Sequence, residues 1–414
     1  MSVNKFITAV LALLFFSAVL SSQNTNSPYS RNGFGSLEIP AIGKSSAMGG
    51  VGIGLRERNM INFSNPASYS SVDTMNLLFD FGVSGIYSRF KEDNVAQGNP
   101  NGGLDYVAMK VPLKKYWGLA AGLVPYSKVG YSYSEVNSLS GDIGTYANTY
   151  AGTGGLNTAF IGTSVSLWNK LSLGVNYKYS FGTITQSSSL SFYDTDINTK
   201  SPTEYWYLNN SSLDFGLQFD QMLNKKNRLV LGAVFSEKSR VNNEIYKIDV
   251  TTDTIESTTT SDFEFPRTLG LGASWTYDER LTLGIDYQTQ AWSKSTFYGV
   301  SDTLSNNTRI SIGAEYLPSV LTNFYYQAIK YRFGLYYNDS YMKLPEGNLK
   351  NVGLTFGVGL PLRGTSMGGQ KSSLNLAFEI GRTITPSTSY ISENYYKISL
   401  DVNFNELWFF KRKL

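Results

Sequence analysis

From Met75 onward, apolar and polar residues alternate with a period of two, which is the pattern of a strand with one apolar face. In MNLLFDFGVSGIYSRFK, Leu77, Phe79, Phe81 and Val83 share one face, and Asp80, Gly82 and Ser84 share the other. In LSLGVNYKYSFG, Leu171, Leu173, Val175, Tyr177, Tyr179 and Phe181 oppose Ser172, Gly174, Asn176, Lys178 and Ser180. SLDFGLQFDQ sets Leu213, Phe215, Leu217 and Phe219 against Asp214, Gly216, Gln218 and Asp220, and RLTLGIDYQTQAW sets Leu281, Leu283, Ile285 and Tyr287 against Thr282, Gly284, Asp286 and Gln288. The pattern predicts about 14 strands, near 75–91, 103–113, 116–133, 156–168, 171–193, 203–222, 228–248, 263–277, 280–297, 306–317, 327–342, 350–362, 373–388 and 395–404.

Several of these exceed both the ~5–6 residues usual in soluble strands and the ~9–11 that cross a bilayer. Long strands with one apolar face, Gly and small polar residues opposite, and Tyr or Trp near their ends predict a membrane barrel, not a soluble sandwich. The hydrocarbon core offers no water, so every backbone N–H and C=O must be paired and the sheet must close. Short links at Trp168-Asn169-Lys170, 223–227 and Asp278-Glu279 suit periplasmic turns, and longer polar links at 135–155, 194–202, 249–262 and 343–349 suit outer loops. The predicted fold is therefore all-β, an antiparallel up-and-down transmembrane barrel.

Composition narrows the function. Charged residues are only 16%, against 29 Tyr and 39 Gly, a composition that suits either a secreted β-protein or a membrane β-barrel. The absence of Cys excludes a disulfide framework and a lipid-anchored N-terminal Cys. The absence of His excludes Ser–His and Cys–His nucleophile pairs and His-ligated zinc. No carboxylate pair stands in an apolar setting, so the sequence predicts no enzyme, no metal site and no cofactor. A balance of 35 Lys and Arg against 32 Asp and Glu gives no electrostatic case for nucleic acid. The start, MSVNKFITAVLALLFFSAVLSSQ, has one Lys, an apolar stretch from Phe6 to Leu20 and then small residues. It predicts a cleaved secretory signal at 1–22, followed by an N-terminal segment at 23–74 and the barrel at 75–414, placed in the outer membrane as a multi-pass protein.

The stretch AMGGVGIGL, Ala47 to Leu55, places Gly50, Gly52 and Gly54 at alternate positions, close to a dinucleotide-binding turn. That turn needs a strand before it and a helix after it, and neither flank fits. The surrounding residues point elsewhere. SPYSRNGFGSL, SSAMGGVGIGL and INFSNPASYSS resemble the N-terminal segment of the FadL-type outer-membrane transporters of hydrophobic compounds, in their Bacteroidetes form. The resemblance rests on Ala47-Met48-Gly49-Gly50 and on Asn65-Pro66-Ala67. Weaker echoes run through Phe265-Pro266-Arg267, Asp286-Tyr287 with Trp292, and Ile312 to Tyr316. It implies a 14-strand barrel whose N-terminal segment folds inward as a hatch. On that reading Met48, Gly49, Gly50, Gly52 and Gly54 pack closely against the wall, and Asn65, Pro66 and Ala67 turn the chain toward the first strand. An ordered leader with no gating role is the alternative.

The second feature is Pro125-Tyr126, inside an alternating segment. Proline removes a ladder hydrogen bond, so it marks either a mid-strand break or the end of the strand at Val124. The family resemblance implies an inward kink of the third strand and a lateral exit into the bilayer. Together these features predict passive uptake of a hydrophobic or amphipathic small molecule, fatty-acid-like or aromatic. The ligand would be held in an apolar pocket between hatch and wall, with outer-membrane lipids as the other partner. The rival is a non-transporting barrel that serves as a binding or assembly partner in protein secretion, with the aromatic and basic tail Trp408–Leu414 docking a protein. The same tail also suits an interfacial anchor. A hydrophilic porin would be blocked by a hatch.

Overall fold

The computed structural model describes residues 27–407 apart from 40, 75, 93–94, 139–144, 169, 193–200, 250–253, 321–323 and 363–371. The leader at 1–22 and the tail Trp408–Leu414 lie outside the described residues. A short strand, β1 (Ser36–Leu37), belongs to the N-terminal segment. The wall begins with β2 (Asn76–Glu92), β3 (Val95–Lys114), β4 (Trp117–Ser138), β5 (Thr145–Leu167), β6 (Leu171–Phe192) and β7 (Pro202–Met222). β8 (Asn227–Ser236) and β9 (Ser239–Asp249) are two parts of the next wall strand, and β10 (Thr254–Thr259) folds back on β9. β11 (Phe263–Phe265) and β12 (Thr268–Tyr277) likewise form one strand, parted at Pro266 where a ladder donor is missing. β13 (Leu281–Gln290), β14 (Asn307–Tyr316), β15 (Lys330–Leu344), β16 (Gly347–Pro361), β17 (Ser373–Ile384) and β18 (Ser392–Leu407) complete the wall. Neighbours are antiparallel, and β18 pairs with β2 from Ser392↔Lys91 to Leu407↔Asn76, which closes a 14-strand barrel.

The apolar face of each strand points outward. Leu173, Tyr177, Tyr179 and Phe181 of β6 are exposed, whereas Ser172, Asn176 and Ser180 are buried in the lumen. β13 follows suit, with Leu283, Ile285 and Tyr287 outside and Asp286 inside. This is an apolar exterior around a polar interior, the arrangement that a surrounding bilayer selects. Tyr116, Trp168, Tyr277 and Tyr316 sit exposed at the short-turn end, at the level of an aromatic girdle.

Strand limits differ from the sequence pattern at the loop end. β3 starts at Val95, not near 103, and β4 and β5 take in most of the 135–155 link. Beyond the hydrocarbon layer a ladder needs no apolar face, and polar cross-strand pairs such as Ser134–Thr149 (2.8 Å) carry it on. β13 stops at Gln290, short of 297, because Trp292 turns inward and is fully buried. The 343–349 link tightens to a turn at Pro345-Glu346, while the 317–329 link at the opposite end is long and holds a 3-10 turn, Tyr325–Ala328. Link length alone therefore does not sort the two ends.

The ladder between β3 and β4 is short. It runs from Lys114↔Trp117 to Val107↔Leu123, and above that level β3 pairs with β2 and β4 with β5. A register shift between Pro125 and Ser127 leaves Tyr126 as an extra residue opposite β5. Such a bulge bends its strand. Around it, no β4 residue from Val124 to Tyr131 is exposed on either face, so this middle stretch of β4 is covered on both sides, and β4 becomes exposed again from Ser132. Pro125 is thus a mid-strand position, and the strand does not end at Val124.

Candidate functional site

Residues 27–74 run through the lumen. At the loop end, Phe34 is fully buried in an aromatic cluster with Phe263, Phe265 and Phe297 edge-on at 5.6, 5.4 and 5.3 Å. Tyr341 fixes the backbone there. Its hydroxyl accepts from Phe34 N (3.0 Å) and donates to Gly35 O (2.5 Å). The cluster also takes Val129 and Tyr131 from β4, Trp206 from β7 and Trp292 from the 291–306 link.

The same segment covers the bent half of β4. Ser36 and Leu37 pair with Lys128 and Ser127, and Glu38 N donates to Tyr126 O at 2.9 Å. Ser27 N donates to Gly130 O (3.0 Å), and Gly130 N donates to the Ser30 hydroxyl (3.1 Å). The β4 edge that leaves β3 is therefore paired by the chain's own N-terminal residues.

Lower in the lumen, wall side chains hold the backbone of the glycine stretch. The Asp286 carboxylate accepts from the N–H groups of Gly52 (2.6 Å), Ile53 (2.8 Å) and Gly54 (3.4 Å). The stretch does cradle an anion, but the anion is the protein's own. Gly49 ends a 3-10 turn (Gly43–Met48) in the left-handed region, φ +68°. Its N–H meets the Thr355 hydroxyl (2.8 Å), and its carbonyl accepts from Arg309 (2.8 Å). A Cβ on Gly49 would lie 2.6 Å from Leu335 O, and one on Gly54 would lie 2.7 Å from the Ala273 backbone, so neither position admits a side chain. Met48 is buried against Gly313 of β14. Gly50 also has positive φ and donates to Ser45 O at 2.9 Å.

Asn65-Pro66-Ala67 opens a second 3-10 turn, Pro66–Ser70. The Asn65 side chain caps it by accepting from Ala67 N (3.0 Å) and donates to Ile53 O (3.0 Å) and Leu217 O (3.1 Å). Wall glycines make room for it, Gly174 beside Pro66 and Ala67, and Gly216 beside Asn65. Gln218 donates to Ile53 O and Leu55 O, each at 3.0 Å. Lys110 donates to the carbonyls of Arg58 (3.1 Å), Met60 and Ser71 (3.1 Å). At the base, Lys44 bridges Glu57 and Glu315 (3.3 Å), and Arg332 meets Glu315 at 2.7 Å. Burial opposes the Glu57 carboxylate, but Lys44 and Lys330 outweigh it and hold its pKa below the ordinary value.

Between the two packed regions lies a cavity of about 390 Å³, of ligand size. Pro125, Tyr126 and Val124 of β4 line it, with Asn101, Asp105 and Tyr106 of β3. Leu37, Ile39, Gly49, Gly50 and Pro66 complete it from the N-terminal segment. Its lining is mixed and includes Asp214, Arg309, Glu379, Glu393 and Lys397, so the expectation of an apolar pocket is corrected. The lumen faces of the strands are polar, so the wall supplies the charged groups, while Leu37, Ile39 and Pro66 of the N-terminal segment supply apolar ones. Among the described residues, no group of His, Cys, Asp and Glu could hold a metal ion.

The family model for BamG matches residues 2–414. The chain belongs to the BamG family. No curated protein matches it in sequence. Among solved structures, this BamG-family barrel is similar to a Pseudomonas aeruginosa FadL homologue, with a TM-score of 0.59 and 12% identity, covering 89% of this chain and 99% of that one. It is also similar to the Ralstonia pickettii toluene transporter TbuX, with a TM-score of 0.58 and 14% identity over 90% and 99%. The P. putida toluene transporter TodX is comparable, at 0.56 and 15% over 90% and 100%. The FadL-type likeness is thus one of fold, and the family shown is BamG.

In this BamG-family chain, the predicted residues from Met48 to Ala67 pack in the lower lumen, and Gly49, Gly50 and Pro66 among them line the cavity together with Pro125 and Tyr126. Sequence reasoning missed Lys110, Gln218, Asp286 and Arg309 as anchors. Each is a polar residue on the face opposite the apolar one, but Lys110 stands beside Ala108 and Pro112, and Gln218 near Asp214 and Asp220, so nothing in the pattern marked them out as anchors. Replacing Asp286 by Asn puts an amide donor against N–H groups. A loss of about 1–3 kcal/mol is expected. It should appear as a lower melting temperature in detergent and faster proteolysis within residues 45–60, and an unchanged melt and digest would contradict the anchoring role.

Proposed function

We propose that this barrel is an outer-membrane conduit for passive passage of hydrophobic or amphipathic small molecules. The N-terminal segment acts as its hatch, and the exit is lateral. One observation carries the reading. The β3–β4 ladder, Val107 to Lys114, is shorter than the ~9–11 residues that cross a bilayer, so the break opens within the hydrocarbon layer, beside the cavity lined by Pro125 and Tyr126. A molecule in that cavity has lipid on one side and packed chain above and below. The solved toluene transporters share the fold, which is compatible with the reading without carrying it. No cofactor or energy source enters the scheme.

A second reading, a non-transporting barrel that serves as an assembly or binding partner in protein secretion, draws on the 317–329 link. There Phe324 and Tyr326 are 62% and 60% exposed at the short-turn end, with rings 5.9 Å apart. A protein co-purifying in stoichiometric amount with a barrel that passes no probe would decide for it.

Pro125→Val adds an N–H donor and a β-favouring side chain where the ladder stops. One restored hydrogen bond contributes about 0.5–1.5 kcal/mol, more if the group faces lipid. The variant is expected to melt no lower than wild type, to take up a fluorescent fatty-acid analogue more slowly in proteoliposomes, and to keep its ion conductance. Equal uptake by folded variant and wild type would remove the lateral exit.

Deleting residues 27–72 leaves the alternating strands intact and empties the lumen. The deletion is expected to insert and to raise single-channel conductance in planar bilayers several-fold. Conductance equal to that of the full-length protein would mean that the segment does not occlude the lumen.

A further inference from the structure

We infer that the cavity prefers amphipathic molecules with a cationic head over those with a carboxylate, an inference that rests on the conduit reading. Its electrostatics are lopsided. Six carboxylates and three cations line it. The cations are already engaged. Lys178 meets Asp214 at 2.7 Å, and Lys397 meets Asp105 at 3.6 Å. Arg309 donates to Gly49 O (2.8 Å) and Ser311 Oγ (3.1 Å) and lies 4.0 Å over the Tyr336 ring. An incoming carboxylate would find no cation without a partner among the described lining residues.

The carboxylates divide differently. Glu38 pairs with Lys128 at 3.4 Å, and Asp286 is spent on three backbone N–H groups. Glu379 and Glu393 make no ion pair among the described residues. Glu379 accepts the hydroxyls of Tyr336 and Tyr395, and Glu393 those of Ser27 (2.8 Å) and Ser88 (3.4 Å). Buried charges normally find opposite charges, and these two face an internal space instead. The rings of Tyr29 and Tyr126 line the same space, and aromatic faces attract cations. An ammonium head would supply the close counter-charge that both glutamates lack, since Arg309 and Lys397 act on Glu379 only at longer range, while its alkyl chain lies toward the β3–β4 break.

The test compares decylammonium, decanoate and decanol, matched in chain length, as competitors of a neutral fluorescent probe bound to the full-length protein in phosphatidylcholine vesicles. Decylammonium is expected to compete at least tenfold better than decanoate. The double substitution Glu379→Gln with Glu393→Gln should bring that ratio near one and leave decanol unchanged. A wild-type ratio of one, or a ratio that survives the double substitution in folded protein, overturns the preference. Should the double variant fail to fold, the wild-type ratio decides alone. Decanol reports on the conduit separately. If decanol competes and the ratio is one, only the cationic preference falls. If none of the three competes, the conduit reading falls as well.

Discussion

A backbone N–H or C=O that faces lipid without a partner costs several kcal/mol, so a membrane barrel tolerates a break in its wall only where something else pairs the freed edges. This barrel breaks between β3 and β4 above Val107 and Leu123, and the rest of the molecule is arranged around that break. The bulge at Pro125–Tyr126 turns β4 inward, and residues 27–38 supply its edge with new partners through Ser27, Ser30, Ser36, Leu37 and Glu38. The β3 edge is blunted differently. Its upper part reads GNPNGG, and proline with glycine makes a poor template for another strand.

The described residues of the N-terminal segment form no strand or helix long enough to satisfy its own backbone. The wall does that work with side chains: Asp286 on three N–H groups, Lys110 on three carbonyls, Gln218 on two. Such bonds need the backbone to come close, and for this reason Gly174, Gly216 and Gly313 stand on the lumen face where Ala67, Asn65 and Met48 arrive. The aromatic cluster around Phe34 closes the opposite end by packing, with the Tyr341 hydroxyl tying down the Phe34–Gly35 backbone. A lower plug held by polar anchors and an upper plug held by aromatic packing leave the cavity between them.

Much of the barrel was legible because lipid imposes a strict period of two, as β6 and β13 illustrate with every outward Leu, Ile and Tyr in its expected place. Limits at the loop end were not, because polar ladders outside the bilayer carry no such period. The Pro125 break was legible as an ambiguity, since proline in an alternating run means either a bulge or an end, and only the β5 register decides. The glycine stretch invited a nucleotide reading for a sound reason, as its N–H groups do gather an anion. Asp286 lies more than 200 residues away, and only closure of the barrel brings it there. The charged lining of the cavity was illegible for the same reason, because it is assembled from Glu38 and from strands between β3 and β18.

Fold and family fix what the molecule is, a BamG-family barrel of FadL-type architecture, and the function follows from whether the break in the wall conducts. The chain has no cysteine, so one pair can be placed selectively. Cysteines at Asp105 and Val124, cavity-lining positions on the two strands that part, keep Pro125 in place and can be treated with a short bis-maleimide, the yield of cross-link being read by mass spectrometry. Uptake of a fluorescent hydrophobic probe by proteoliposomes is then compared in the same double-cysteine protein before and after cross-linking. The account predicts that cross-linking abolishes uptake while ion conductance along the axis stays the same. Undiminished uptake in fully cross-linked protein would contradict it.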